Sequence, residues 1–166
     1  MDADRRSFPD AADMAKSREW TERFLSDPAH IPLSFKLDGK AIAGIPTGWE
    51  PSARTRRVDA AITEKTFEGR DPHTGLAVRC ECVEYGDFPV VEWTAWLTNT
   101  GQRPTPILSD ILALKDSFKG ASAVLWNCNG DFYSGEGYSA KESALHAGDS
   151  LFFAPAGGRP CDRAFP

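Results

Sequence analysis

The 166-residue sequence predicts a mainly β protein, an antiparallel β-sandwich with a short N-terminal helix. Three observations carry this. Period-two alternation of apolar and polar residues dominates from Val58 to Thr100, and alternation of that kind marks strands with one covered face. Turn signals such as Asp38-Gly39 and Gly86-Asp87 recur at short intervals, as in sandwiches. The best helix candidate is a single stretch near the start, and strands at short intervals with one peripheral helix indicate a mainly antiparallel sandwich.

That stretch is Asp10 to Leu25. Asp10 suits the cap, Asp13 suits the positive N-terminal end, and Ser26-Asp27-Pro28 ends the helix. Trp20 and Phe24, four apart, share a face and predict packing on a sheet edge. Residues 1–27 are therefore read as an N-terminal helical segment and 28–166 as the β-sandwich domain. The run Leu33 to Leu37 alternates, and Asp38-Gly39-Lys40 turns it into Ala41 to Gly44, a hairpin. Ile45 to Pro51 reads as a connection, and Arg54, Arg56 and Arg57 as a solvated basic loop.

The next two strands have definite faces. Leu76, Val78, Cys80 and Cys82 point one way, Arg79, Glu81 and Tyr85 the other. Val91, Trp93, Ala95 and Leu97 alternate with Glu92, Thr94, Trp96 and Thr98. Ile107 to Leu114 fits a helix as well as a strand buried on both sides, and periodicity does not decide. Ala121 to Trp126 reads as a strand, Asn127 to Ser150 as polar and turn-rich, and Leu151-Phe152-Phe153 as a short strand.

Composition narrows the function. A net charge of -5 opposes nucleic acid and anionic membrane surfaces as partners. No apolar run approaches the roughly 18 residues of a membrane helix, and Met1 to Ser17 lacks the apolar core of a secretory signal. A cytoplasmic location is expected. Cys80 and Cys82 share a strand face, Cys128 and Cys161 stand apart, and His30, His73 and His146 are scattered. Reduced thiols acting as small apolar groups are expected, with no metal and no cofactor.

No nucleophile elbow, zinc-protease helix or phosphate loop is present. Asp110, Asp116, Asp131 and Glu136 invite a two-carboxylate glycosidase scheme, but no spacing places two of them at working separation, so no catalytic residue is assigned. Sugar binding is the better match. Trp126-Asn-Cys-Asn-Gly-Asp-Phe-Tyr133 interleaves aromatic rings with amides and a carboxylate, the groups that stack on pyranose faces and hold hydroxyls. Trp126, Asn129, Asp131 and Arg159 are the candidate substrate-binding residues; the competing reading buries Trp126 and Phe132 beside a plain turn. Trp93 and Trp96 lie on opposite strand faces, and Trp96 is the one expected to be exposed.

Phe88-Pro-Val-Val-Glu-Trp-Thr-Ala-Trp-Leu-Thr-Asn-Thr-Gly101, followed by Pro104-Thr-Pro-Ile-Leu108, resembles a segment of family-36 glycoside hydrolases, the melibiase-type α-galactosidases. Pro32 to Lys40 is similar to that family's opening hairpin, Thr74 to Cys80 to the strand that precedes the Phe88 segment, and Phe153 to Pro160 with Ala164-Phe-Pro166 to a later loop. The similarities run in order from about Trp20 to the last residue. The resemblance implies the N-terminal β-sandwich of such enzymes, here a partial supersandwich, and makes Ile107 to Leu114 a strand. Similar enzymes carry their nucleophile and acid/base, both Asp, on a following (β/α)₈ barrel, and no residue here matches those motifs. The resemblance thus implies a non-catalytic portion of an α-galactosidase-like glycoside hydrolase, truncated before the sandwich is complete. Its expected partner is a C-terminal catalytic barrel or a second copy of the chain, with a galactoside or other glycoside as ligand. The alternatives are a free-standing carbohydrate-binding module and an inactive structural fragment.

Overall fold

The computed structural model describes residues 9–117, 123–128 and 135–153. It is mainly β, with antiparallel sheets and one N-terminal helix. The chain forms two compact units, Met1–Asp116 and Ser117–Pro166.

The first unit opens with helix α1, Ala11–Phe24. Asp10 caps it: its carboxylate accepts the Asp13 N–H at 2.8 Å, and Asp13 reaches back to the Asp10 N–H. This reciprocal box satisfies donors that a helix start otherwise leaves open. The apolar face is short. Trp20 and Phe24 stack with centroids 4.9 Å apart, and Trp20 continues onto Trp93 at 5.3 Å.

Strands β1 (Ser34–Leu37) and β2 (Lys40–Ala43) form the expected hairpin. Asp38 and Gly39 both have positive φ, 50° and 78°, as the favoured two-residue hairpin turn requires. The segment after it holds a 3₁₀ turn, Thr47–Trp49, that seats Trp49 in the core. Strand β7, Leu108–Leu112, pairs with the other side of β1, so Ile107 to Leu114 contains a strand. Between Ser34 and Lys36 the register slips: Asp110 and Ile111 of β7 oppose Phe35 alone. Asp110 takes φ 49° there and its carboxylate meets Lys36 Nζ at 2.7 Å. Such an extra residue bends a strand.

The four-stranded sheet runs β3 (Ser52–Arg57), β4 (Ile62–Arg70), β5 (Leu76–Tyr85), β6 (Val91–Asn99), each antiparallel to its neighbour. Strand β3 corrects the sequence reading of Arg54, Arg56 and Arg57 as a loop. It is exposed along its length and lies at the sheet edge, where charge deters further strands from pairing. The inward rows follow expectation: Phe67, Leu76, Val78, Cys80 and Cys82 are buried with Leu33 and Phe35 in one core cluster. Across β6 the cover thins, and Val91, Trp93, Ala95 and Leu97 are only half-buried.

Cys80 and Cys82 bring their Sγ atoms to 3.7 Å, well beyond a disulfide bond. The hydrogen bond to Cys80 and burial together hold the Cys82 thiol above the usual thiol range. Alkylation of the folded chain, read by peptide mapping, should spare both cysteines while the urea-unfolded chain reacts at both. Modification of either in the folded chain would contradict their place in the core.

The β4–β5 turn is tied by Asp71, which is buried. Its carboxylate accepts from the Thr74 hydroxyl at 2.6 Å and the His73 N–H at 3.1 Å. Burial works to raise this carboxyl, but those hydrogen bonds outweigh it and hold the group below the ordinary range. A carboxyl depressed on folding stabilises fully above its unfolded value, about pH 4, and the contribution is lost as pH falls through the folded value. The urea midpoint should therefore drop below about pH 4, and drop less in Asp71→Asn. An equal acid response in the two proteins would refute this role.

The second unit has a two-stranded antiparallel ribbon, β8 (Ala123–Asn127) with β9 (Lys141–Leu145), and a 3₁₀ turn at Gly135–Tyr138. Strand β9 lies within Asn127 to Ser150, the stretch the sequence marks as polar and turn-rich. Leu151, Phe152 and Phe153, expected as a strand, have no regular structure.

Candidate functional site

Trp126 sits in strand β8 and not in a loop. Strand pairing sets Trp126 directly opposite Glu142 and Val124 opposite Ala144. These four form the exposed face of the ribbon, while Leu125, Ser143 and Leu145 line the less exposed face. The Trp126 side chain is 57% exposed, so the reading that buried it in the core is corrected. An open indole beside a carboxylate offers a stacking surface and a hydroxyl acceptor next to each other.

Asn129, Asp131 and Arg159, the other candidate sugar ligands, lie outside the described residues, as does Cys161. The structure therefore places one of the four sequence candidates. Glu142 was not among them. Its placement depends on register across the ribbon, and Lys141–Leu145 carries too little apolar alternation to announce a strand.

The acidic candidates for catalysis are occupied otherwise. Asp116 has a buried side chain that accepts Trp20 Nε1–H at 2.9 Å and pairs with Arg23 at 2.9 Å. It anchors α1, because a buried carboxylate needs such partners to offset lost hydration. Asp110 pairs with Lys36, whose ammonium is held above its ordinary value by that hydrogen bond and opposite charge. Asp131 and the Glu136 side chain lie outside the described residues.

A cleft of 420 Å³ opens between α1 and the end of the four-stranded sheet, lined by Arg18, Glu22, Arg57, Lys65, Glu84 and Tyr85 among others. Its central charges are matched internally: Lys65 pairs with Glu84 and donates to the Leu25 carbonyl at 2.9 Å. Arg57 donates to the carbonyls of Asp59 and Ala60, each at 3.0 Å. Lys65 thus ties the C-terminal end of α1 to the sheet. Among the described residues no cluster of three or more His, Cys, Asp or Glu could hold a metal ion, and no helix is long and apolar enough to cross a membrane. Comparison with protein-family models, with curated proteins and with solved structures found no match to this chain.

Proposed function

We propose that this chain is the leading, non-catalytic portion of the β-sandwich of a family-36 α-galactosidase-like glycoside hydrolase, which supports a catalytic barrel encoded after it. The sheets containing β1 and β4–β5 are the two layers of the sandwich, and their shared core cluster supports that assignment. The observation that carries the proposal is the gradient of cover across the four-stranded sheet. Phe67, Val78, Cys80 and Cys82 have exposures of 0–2%, yet their β6 neighbours Trp93, Ala95 and Leu97 are half open. Strand β6 has a partner on one side only among the described residues. A nine-residue strand with a free edge and a half-covered apolar row suits a sandwich that continues with further strands.

In this role the chain binds no metal or cofactor and works in the cytoplasm with its thiols reduced. Its contribution to catalysis is to hold the barrel and to present Trp126, with Asn129, Asp131 and Arg159, toward a glycoside. The exposure of Trp126 opposite Glu142 favours one second reading, a free-standing carbohydrate-binding module with that indole as platform. Sequencing the gene beyond codon 166 separates the two. The proposal expects an open frame encoding more strands and a (β/α)₈ barrel. A natural stop there, with no barrel-encoding gene beside it, would overturn it.

A further inference from the structure

The four-stranded sheet has a second, outward face, and an exposed tryptophan is held fixed near one side of it. Register sets Trp96 of β6 opposite Arg79 of β5, Arg79 opposite Glu68 of β4, and Glu68 opposite Ser52 of β3. Trp96 is 54% exposed. Its Nε1–H donates to Glu81 Oε2 at 3.2 Å, and Arg79 Nη2 donates to Glu81 Oε1 at 2.6 Å. Arg79 Nε lies 3.4 Å from Glu68 Oε1. The indole is therefore tied through Glu81 and Arg79 of β5 to Glu68 of β4, a chain of charges across two strands. With the N–H engaged, the ring surface is what the side chain offers to solvent.

The sheet is hollowed twice, by cavities of 390 Å³ each that share Ser52, Glu68 and Arg79, the last being the cross-strand neighbour of Trp96. Charge in and around them is balanced: Arg54, Arg70 and Arg79 stand with Glu50, Glu68 and Glu81. A polyanion or an acidic peptide would need an excess of cations, which this face lacks. A neutral pyranose needs what is there: a flat apolar ring to stack on, carboxylates to accept from hydroxyls and guanidiniums to donate to them. Preorganisation of the ring also lowers the entropic cost of binding.

The geometry points to a saccharide-binding face centred on Trp96, which takes a neutral hexopyranoside and is separate from the Trp126 ribbon. The full chain, applied to an array of neutral hexopyranosides, should be retained, and titration with the retained glycoside should give saturable binding. Trp96→Ala should weaken that binding about tenfold or more with its melting temperature little changed, and Trp126→Ala should leave it intact. No retention of any neutral hexopyranoside would overturn the proposal, as would unaltered binding by Trp96→Ala. Loss through Trp126→Ala alone would also overturn it, while leaving the Trp126 platform standing. If Trp96→Ala does not fold, Glu81→Ala releases the indole and removes an acceptor without touching the core. Undiminished binding by that variant would overturn the proposal equally.

Discussion

Gly44→Ala should destabilise the chain by about 4 kcal/mol or more, enough to leave much of it unfolded. Gly44 follows β2 with φ +59°, and a β-carbon there would lie 2.1 Å from the Ala29 carbonyl oxygen and 2.5 Å from its carbon. The left-handed backbone alone costs a non-glycine residue roughly 1–2 kcal/mol. The clash adds more, because the obstacle is backbone that cannot swing aside. The Gly44 N–H bonds the Leu33 carbonyl at 2.9 Å and the Ile45 N–H bonds that of Pro28 at 2.9 Å. Relief would therefore pull apart the strap that seats Ile45, a residue with no exposure. Two other glycines calibrate the effect. Gly39→Ala meets nothing within 4 Å at φ +78° and should lose only about 1 kcal/mol. Gly48→Ala, in open space without a positive φ, should be neutral or gain about 0.5 kcal/mol. Urea denaturation followed by circular dichroism measures all three. Equal midpoints for Gly44→Ala and Gly39→Ala would show that the Ala29 contact is not tight.

Phe67→Ala should cost about 3–5 kcal/mol. Phe67 is 2% exposed on β4, with Ala53 beside it on β3 and Cys80 on β5. Both neighbours are small, so neither can fill the space a lost ring leaves, and the cavity penalty persists. Phe67→Leu, which retains most of the volume, should cost less than about 1.5 kcal/mol. A loss below about 1 kcal/mol in Phe67→Ala would mean the sheet collapses onto the gap.

The central elements were legible in the sequence because their signals are local. Asp10, Asp13 and the Trp20–Phe24 spacing define α1, and strict alternation from Leu76 to Leu97 assigns inward and outward rows. The β1–β2 turn was legible from Asp38-Gly39. Strand β3 was not: Ser52–Arg57 has no apolar row, and it is a strand because β4 offers an edge to pair with. Strand β9 was hidden for a like reason. Asp116 looked like a candidate acid, yet its partner Trp20 is 96 residues away, and no sequence period links them. Glu142 beside Trp126 and Glu81 beneath Trp96 likewise arise from cross-strand register, which depends on turns and packing together.

Tryptophan placement connects the candidate site to the fold. Trp20, Trp49 and Trp93 pack with the core, while Trp96 and Trp126 are exposed on separate strands. These two open indoles, with Glu142 opposite one and Glu81 hydrogen-bonded to the other, are what the proposed sugar-binding readings rest on. The described carboxylates Asp110 and Asp116 are spent on Lys36, Trp20 and Arg23. Their substitution should alter stability and leave any glycoside binding unchanged.

Under the proposed function the chain supports a glycosidase barrel and carries none of its chemistry. Incubating the purified chain at high concentration with an aryl α-galactoside, and following release of the phenol, tests it most directly. The expected result is no release above that of heat-denatured protein; turnover that follows the chain through repeated purification would contradict it.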